Sequence, residues 1–273
     1  MEFIEANGAK IPAVGLGTLF LKEAVCVEMV QAALEVGYRH IDTAQMYGNE
    51  TEVGEGLRAS GVPRDEVFIT TKVWWDKLAP GAFERSVEES LGKLGLRSVD
   101  LLLIHWNNPQ VPLVDSIGAL CRVKRAGLTK HIGVANFTIP MIDEAVKLAD
   151  VPLVTNQVEA HPYLNQTKLT ETCRRHGIAI TAYCPLARGK VPADPILESV
   201  GRDYGKSASQ VALRWLVQQG DIVIPRTSKR ERLAENLNIF DFALGKGAMA
   251  KIGVLARPNG RVVSPPHAPK WDN

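Results

Sequence analysis

The sequence predicts an α/β protein that forms one (β/α)8 TIM barrel over residues 1–273. Eight short runs of apolar or β-branched residues alternate with longer segments of helical periodicity along the whole chain. Strand-then-helix units imply parallel strands, and eight such units are the number that closes into a barrel. A doubly wound open sheet is the second interpretation, but no GxGxxG motif opens a helix after the first strand, where the chain has only Gly15-Leu16-Gly17.

The chain opens with the flanks and turn of a small hairpin, 2–4 and 10–12 around Asn7-Gly8, which we expect to plug the bottom of the barrel. The eight strands are predicted at 14–16, 40–42, 68–71, 101–105, 132–134, 154–158, 178–183 and 222–224. The helices between them are predicted at 23–36, 50–60, 80–94, 113–125, 139–148 and 165–176. A glycine follows five of these helices, as a left-handed helix end favours: Gly37, Gly61, Gly95, Gly127 and Gly177.

Two extra helices are predicted outside this regular alternation. One lies at 207–219, as a second helix before the last strand, and the other at 247–255, after it. A Pro-rich tail follows from Pro258, and we expect residues 260–273 to serve as a C-terminal substrate loop if they lie across the barrel mouth rather than project away from it.

Composition excludes several classes of protein. There are 32 Lys and Arg against 30 Asp and Glu, a net charge of +2, and no long basic run, so we expect no nucleic-acid partner. No segment reaches the roughly 18 apolar residues of a membrane helix, and no signal peptide precedes the barrel, so a cytoplasmic protein without a membrane partner is expected. The four cysteines form no CxxC or Cys/His cluster, which argues against disulfides or a metal site. A monomer is the expected state.

Polar residues stand where nearly every predicted strand ends. In a closed parallel barrel the active site lies at the C-terminal strand ends, so these positions are the candidates for chemistry. Each of them alone could be a helix cap or a satisfied core group, but seven of eight strands share the pattern. From the second strand to the eighth they are Asp42, Lys72, His105, Asn136, Gln157, Tyr183 and Arg226, and Tyr47 lies in the loop after Asp42.

Four of these residues can form a proton-donating centre. A phenol titrates near pH ~10, but an adjacent ammonium favours its ionised form, so we expect Lys72 to lower the pKa of Tyr47. Asp42 could supply the counter-charge that a lysine in a barrel mouth needs. His105 could donate a hydrogen bond to an oxygen in the same site. Such a centre can protonate a carbonyl oxygen as negative charge develops there.

Several motifs, in order over nearly the whole chain, resemble the aldo-keto reductases. They are GLGT (15–18), IDTAQMYGNE (41–50), TTKVW (70–74), LIHW (103–106), NF (136–137), TNQVE (155–159), YCPLARG (183–189) and IPRTSKRERLAEN (224–236). The closing VSPPHAPKWD resembles the tail of the B-type 2,5-diketo-gluconate reductases within that family. The resemblance implies NADPH-dependent reduction of small aldehydes and ketones, including α-dicarbonyls such as methylglyoxal and keto-sugar acids such as 2,5-diketo-D-gluconate.

The resemblance also implies a role for each matching residue. Tyr47 matches the proton donor, Lys72 and Asp42 match the residues that tune it, and His105 matches the group that orients the carbonyl. The positions that match cofactor-binding residues are Asn136 and Gln157 at the nicotinamide carboxamide, Tyr183 stacked on that ring, Pro185 and Leu186 at the pyrophosphate, Arg226, Thr227, Ser228 and Arg232 at the 2′-phosphate, and Glu235 and Asn236 at adenine. Leu19, Trp74, His105 and Trp106 match substrate positions.

Guanidinium groups bind phosphate dianions through strong charge-assisted bonds, so Arg226 and Arg232 favour NADPH over NADH. The chain also departs from the family pattern: Ala135 replaces a common serine, Leu19 an aromatic residue, and Asn107 the proline after HW. These changes leave the four candidate catalytic residues intact. Trp75 is expected to pack on an adjacent loop.

Two other functions remain open. A Schiff-base aldolase on the same barrel would use Lys72 as a nucleophile rather than as a neighbour of Tyr47. A cofactor-binding redox-sensing subunit would keep the NADPH pocket without turnover. A phosphate-handling isomerase is weaker, because the glycine-rich phosphate loops after the seventh and eighth strands are missing.

Overall fold

The N-terminal hairpin covers the bottom of a barrel, as the sequence predicts. The computed structural model describes residues 2–272, beginning with antiparallel β1 (Phe3–Ala6) and β2 (Ala9–Pro12). Asn7 and Gly8 at the turn both have positive φ, as a two-residue hairpin turn requires. Apolar side chains of the hairpin pack on residues near the N-terminal ends of the barrel strands; the cluster includes Ala6, Ala9, Ile11, Leu101, Val154, Ala179 and Ile222.

Eight parallel strands form the barrel and confirm the predicted (β/α)8 class. They pair in chain order: β3 (Leu16–Gly17), β4 (His40–Asp42), β5 (Phe68–Val73), β6 (Val99–Ile104), β7 (Thr129–Ala135), β8 (Leu153–Glu159), β9 (Ala179–Tyr183) and β10 (Ile222–Val223). The first and last strands close the ring, because Gly15 N donates to Val223 O at 2.9 Å and Gly17 N to Pro225 O at 3.1 Å. A Cβ on Gly17 would lie 2.9 Å from the Ile224 oxygen, so this seam needs glycine.

Ten helices surround the barrel and follow it within the described residues. They are α1 (Glu23–Val36), α2 (Glu50–Ala59), α3 (Ala82–Leu94), α4 (Leu113–Arg125), α5 (Ile139–Leu148), α6 (Thr167–Arg175), α7 (Pro195–Tyr204), α8 (Ala208–Gln218), α9 (Glu231–Leu237) and α10 (Lys246–Gly253). Every helix predicted from the sequence is present, with ends within two residues of the predicted ones. Helices α7 and α9 were not among the helices predicted from the sequence. Between residues 2 and 272, no helix has the length and apolar character needed to cross a membrane.

The inward-facing residues, which alternate along each strand, are apolar near the N-terminal ends of the barrel strands and polar at the C-terminal ends. Leu101 and Leu103 of β6 lie in the interior cluster above the hairpin, and the next alternate residue is His105. Gln157 and Glu159 of β8 alternate in the same way, and their side chains bond across the mouth. The strand period therefore delivers functional side chains to one end of the barrel.

The C-terminal tail lies across that mouth, which decides between the two arrangements left open by the sequence. Gly260 turns against the carbonyl of Tyr163, so closely that a Cβ would collide with it. Both oxygens of buried Glu159 then accept backbone hydrogen bonds from the tail, from Val262 N at 2.6 Å and Val263 N at 2.7 Å. At the far end, Ile139 N donates to Asp272 Oδ2 at 2.9 Å.

Candidate active site

Lys72 is the fully buried centre of the site. Neighbouring strands β4 and β5 place its ammonium beside Asp42, and Nζ donates to Asp42 Oδ1 at 2.6 Å, Thr43 O at 2.8 Å and Tyr47 Oη at 3.2 Å. An ammonium has three N–H donors, so each of them has a partner. The arrangement fixes the Tyr47 hydroxyl next to a positive charge.

The second oxygen of Asp42 is also engaged. Gln157 Nε2, on the opposite side of the barrel, donates to Asp42 Oδ2 at 2.7 Å. Asp42 is buried, and a buried ion pair is tolerated only when further hydrogen bonds satisfy both charges, a condition that Thr43 and Gln157 meet here. Asp42 and Lys72 therefore form a closed, fully bonded pair below Tyr47.

The expectation that Lys72 lowers the pKa of Tyr47 is wrong for this structure. Burial and the Asp42 carboxylate raise the pKa of Tyr47 well above its usual value. The phenol is withdrawn from water, and the Asp42 carboxylate beside Lys72 opposes the effect of the ammonium on Tyr47. Burial also lowers the pKa of Lys72, against the opposing effect of Asp42. Tyr47 consequently keeps its proton at neutral pH.

His105 forms the opposite wall and is neutral. Its ring lies edge-on to Tyr47 with centroids 5.7 Å apart, and edge-on to Trp74 at 5.1 Å. Burial, then Lys72 and His267, hold the pKa of His105 well below its usual value. Its Nδ1 atom is buried and has no hydrogen-bond partner between residues 2 and 272. A neutral imidazole between a phenol and an indole can hydrogen-bond a carbonyl oxygen without competing for its proton.

Asn136 and Tyr183 lie beside this centre and are joined to it. Asn136 has a φ of 61°, a left-handed conformation that asparagine tolerates better than most residues. Its Nδ2 donates to His105 O at 3.0 Å, and Tyr183 Oη donates to its Oδ1 at 2.8 Å. The loop after Tyr183 holds Pro185, which is buried, and Leu186, which is half-buried. The loop contains three non-glycine residues with positive φ: Cys184, Ala187 and Arg188.

A second group of predicted cofactor residues lies at the rim, after β10 and on α9. The side chains of Arg226, Ser228 and Arg232 are exposed, and Thr227 is buried, with its Oγ1 accepting from Lys229 N at 3.0 Å. Glu235 accepts a 2.6 Å bond from Ser207 Oγ, and Asn236 is buried. Exposed guanidinium groups beside hydroxyl groups are a donor set that suits a phosphate monoester. The chain therefore presents groups that fit both ends of a phosphorylated dinucleotide.

The predicted substrate residues meet the tail. Trp74 and Trp106 lie against His267, with centroids 5.6 Å and 5.0 Å from it. Trp75 packs on the same imidazole, stacked at 5.3 Å, so the loop on which it packs is the tail. Leu19 is half-buried at the other edge, where its carbonyl accepts from Arg226 Nε at 3.1 Å.

Sequence reasoning missed Glu159 and His267 as parts of the site. For Glu159 a signal existed, because it follows Gln157 at the strand period and so faces the same interior. For His267 no periodicity was available, since it stands in an irregular Pro-rich segment.

Comparison with known proteins identifies the family. The sequence profile of the Aldo/keto reductase family matches residues 13–256. The methylglyoxal reductase DkgB of Escherichia coli O157:H7 is 42% identical over 266 residues, which are 96% of this chain and 99% of that protein. The chain belongs to the aldo/keto reductase family. It is accordingly an NADP-dependent oxidoreductase that acts on carbonyl groups.

Solved structures agree with this assignment. One that is provisionally described as a 2,5-diketo-D-gluconic acid reductase B is 52% identical, with a TM-score of 0.97, and the match covers 99% of this chain and 98% of that one. The aldo-keto reductase of Bombyx mori, solved in complex with NADP, is 36% identical, with a TM-score of 0.87 over 93% of this chain and 92% of that one.

Proposed function

We propose that this chain reduces small aldehydes and ketones with NADPH, and that its substrates include α-dicarbonyls such as methylglyoxal and keto-sugar acids such as 2,5-diketo-D-gluconate. The observation that carries the proposal is the buried Asp42–Lys72 pair beneath a protonated Tyr47, with neutral His105 facing it. The substrate preference is taken from the names of the relatives, a methylglyoxal reductase and a 2,5-diketo-D-gluconic acid reductase.

Tyr47 is the proton donor in the proposed reaction. When bound, NADPH supplies a hydride to the carbonyl carbon, and the negative charge develops on the oxygen. His105 donates a hydrogen bond that orients this oxygen toward Tyr47, whose Oη releases its proton to it. As the phenolate forms, the Lys72 ammonium 3.2 Å away stabilises it, which is electrostatic catalysis in a preorganised site. Asp42 keeps Lys72 charged and in place, and Gln157 keeps Asp42 in place.

The proposed cofactor contacts fall into two groups. Near the proton donor, Asn136 and Gln157 would hold the nicotinamide carboxamide, with Tyr183 stacked beneath the ring and Pro185 and Leu186 along the pyrophosphate. At the rim, the residues for the adenosine 2′-phosphate are Arg226, Thr227, Ser228 and Arg232, and those for adenine are Glu235 and Asn236. Exposed Arg226 and Arg232 are the physical basis for preferring NADPH over NADH.

The test is oxidation of NADPH, followed by its absorbance, with methylglyoxal, 2,5-diketo-D-gluconate and an aromatic aldehyde, run beside NADH. We expect turnover with NADPH and a ranking that places the dicarbonyl compounds first. Tight NADPH binding without turnover of any of the three would contradict the proposal and favour a redox-sensing subunit.

The environment of Lys72 weighs against a Schiff-base aldolase. Its ammonium is fully buried, and all three N–H groups are bonded, so no lone pair faces a substrate. Treatment with borohydride in the presence of substrate and without cofactor should therefore leave no covalent adduct on Lys72. A single domain, a monomeric state and a cytoplasmic location stay predictions, of which the second can be checked by sedimentation.

A further inference from the structure

The tail places His267 against Trp74 and Trp106, two of the predicted substrate residues. Its position is set on both sides: Glu159 binds the amides of Val262 and Val263, and Ile139 N binds Asp272. Arg261 also lies over the ring of Trp271, 3.8 Å from its centroid. The tail is fixed on both sides of His267. The position of this side chain therefore follows from these hydrogen bonds to the barrel.

Three tryptophans contact the His267 ring, which is half-buried. It stacks on Trp75 at an interplanar angle of 13° and meets Trp74 and Trp106 edge-on, at 87° and 90°. Trp74 also lies edge-on to His105. The indole of Trp74 thus contacts both imidazoles, His105 from the barrel and His267 from the tail.

Both imidazoles carry a nitrogen that no other described residue hydrogen-bonds. His267 Nε2 is buried, as is His105 Nδ1, and neither has a hydrogen-bond partner within residues 2–272. Buried polar atoms in proteins nearly always have partners, and the exceptions mark places where a ligand or water binds. Burial also lowers the pKa of His267, so its imidazole is neutral and offers one donor and one acceptor.

We propose that His267 is a substrate-binding residue that hydrogen-bonds an oxygen on the carbon next to the reacting carbonyl. This inference rests on the proposed function and narrows its substrate class: the pocket selects small carbonyl compounds that carry an adjacent hydroxyl or second carbonyl group over unsubstituted aldehydes. His105 serves the reacting oxygen and His267 the neighbouring one. A neutral imidazole suits both substituents, because it can accept from a hydroxyl or donate to a carbonyl.

The test compares two aldehydes of equal chain length, D-glyceraldehyde and propanal, in three forms of the full-length protein. His267→Phe keeps an aromatic ring against Trp75 but removes both nitrogens, and His267→Gln restores a donor and an acceptor. We expect the ratio of kcat/KM for glyceraldehyde to that for propanal to fall about tenfold in His267→Phe, the effect of one lost hydrogen bond. His267→Gln should recover part of the ratio.

The control is Lys270→Ala, an exposed substitution on the same tail, which should leave the ratio unchanged. Thermal unfolding and NADPH titration establish that each variant is folded and binds cofactor. If both aldehydes lose activity equally in His267→Phe, or neither does, His267 serves only packing and the inference is overturned while the proposed function stands. If the wild-type protein reduces none of the carbonyl compounds tested, so that NADPH is not oxidised with any of them, the proposed function itself fails.

Discussion

Gln157 donates a 2.7 Å hydrogen bond to Asp42 across the barrel, from β8 to β4. This bond joins a residue at the proposed nicotinamide site to the carboxylate that balances Lys72. Both oxygens of Asp42 are therefore used, one by Lys72 and one by Gln157. The proposed cofactor site and the proposed proton-donating site share one hydrogen-bond network.

Substituting Asp42 should destabilise the fold through Lys72. Asp42→Asn keeps the shape of the side chain but leaves a fully buried ammonium without its counter-charge, and removing one partner of a buried pair costs about 3–5 kcal/mol. Urea unfolding measures the loss. The double variant Asp42→Asn/Lys72→Met removes both charges and should recover much of the stability. A single variant as stable as the wild type would mean that Lys72 is neutral in the folded protein.

Tyr47→Phe should abolish most carbonyl reduction while leaving NADPH affinity close to that of the wild type. The change removes only the hydroxyl 3.2 Å from Lys72, and loss of a general acid lowers kcat by about 10²–10⁴-fold. Steady-state kinetics and fluorescence titration with NADPH separate the two effects. Tyr204→Phe removes a phenol hydroxyl that bonds Gly245 N, outside the proposed site, and is the matched control. Substantial turnover by Tyr47→Phe would require another proton donor.

Arg232→Ala should weaken NADPH binding strongly and NADH binding little, because a guanidinium on a phosphate dianion forms charge-assisted bonds that a hydroxyl cannot replace. Dissociation constants for both cofactors give the ratio. Arg230→Ala is the neighbouring control, since Arg230 is engaged with Glu35. If Arg232→Ala loses affinity for NADPH and NADH equally, Arg232 does not bind the 2′-phosphate.

Asp221→Asn should stabilise the protein above about pH 7, with no gain below about pH 4. Burial raises the pKa of Asp221 to about 7, although Arg174 opposes the shift. The pKa of an aspartate in the unfolded chain is ~3.9. Between about pH 4 and pH 7 the folded state therefore binds more protons than the unfolded state, and the stability of the protein falls as pH rises through this range. Asparagine cannot ionise and removes that loss, on the order of 1–4 kcal/mol. Urea unfolding of the wild type and of Asp221→Asn measures the difference. A difference in midpoint that is the same at pH 4 and above pH 7 would contradict this account.

Deleting residues 260–273 should raise KM or broaden the substrate range. The deletion removes His267 from the three tryptophans and leaves Glu159 without the amides of Val262 and Val263. A panel of aldehydes and dicarbonyl compounds, assayed at several concentrations, measures both effects. Kinetics that match the full chain across the panel would exclude the tail from substrate binding.

Local sequence signals placed most of the fold. Helix ends followed by glycine and strands of β-branched residues are properties of short segments, so α1 and α4, which precede Gly37 and Gly127, have the bounds that the sequence predicts. Helix α7, which was not among the predicted helices, also has local signals, with Pro195 in its first turn and Asp194 capping the amides of Ile196 and Leu197.

Those properties of the site that depend on distances between side chains could not be predicted from the sequence, whereas the residues at the strand ends could. The residues at the strand ends follow from the topology of a parallel barrel, which is why Asp42, Lys72 and His105 could be named. The pKa of Tyr47 depends on burial and on the 2.6 Å contact between Asp42 and Lys72, and no sequence pattern contains that distance. The place of His267 depends equally on tertiary contacts, since Glu159 fixes its segment from about a hundred residues earlier in the chain.

The hairpin of β1 and β2 closes the N-terminal end of the barrel. Its apolar residues and the strand residues above them fill the bottom, so access to the polar strand ends is from the mouth. A cofactor and a substrate that both bind at the polar strand ends would therefore enter and leave on the same side of the barrel. The hairpin at one end of the barrel thus confines the proposed chemistry to the other end.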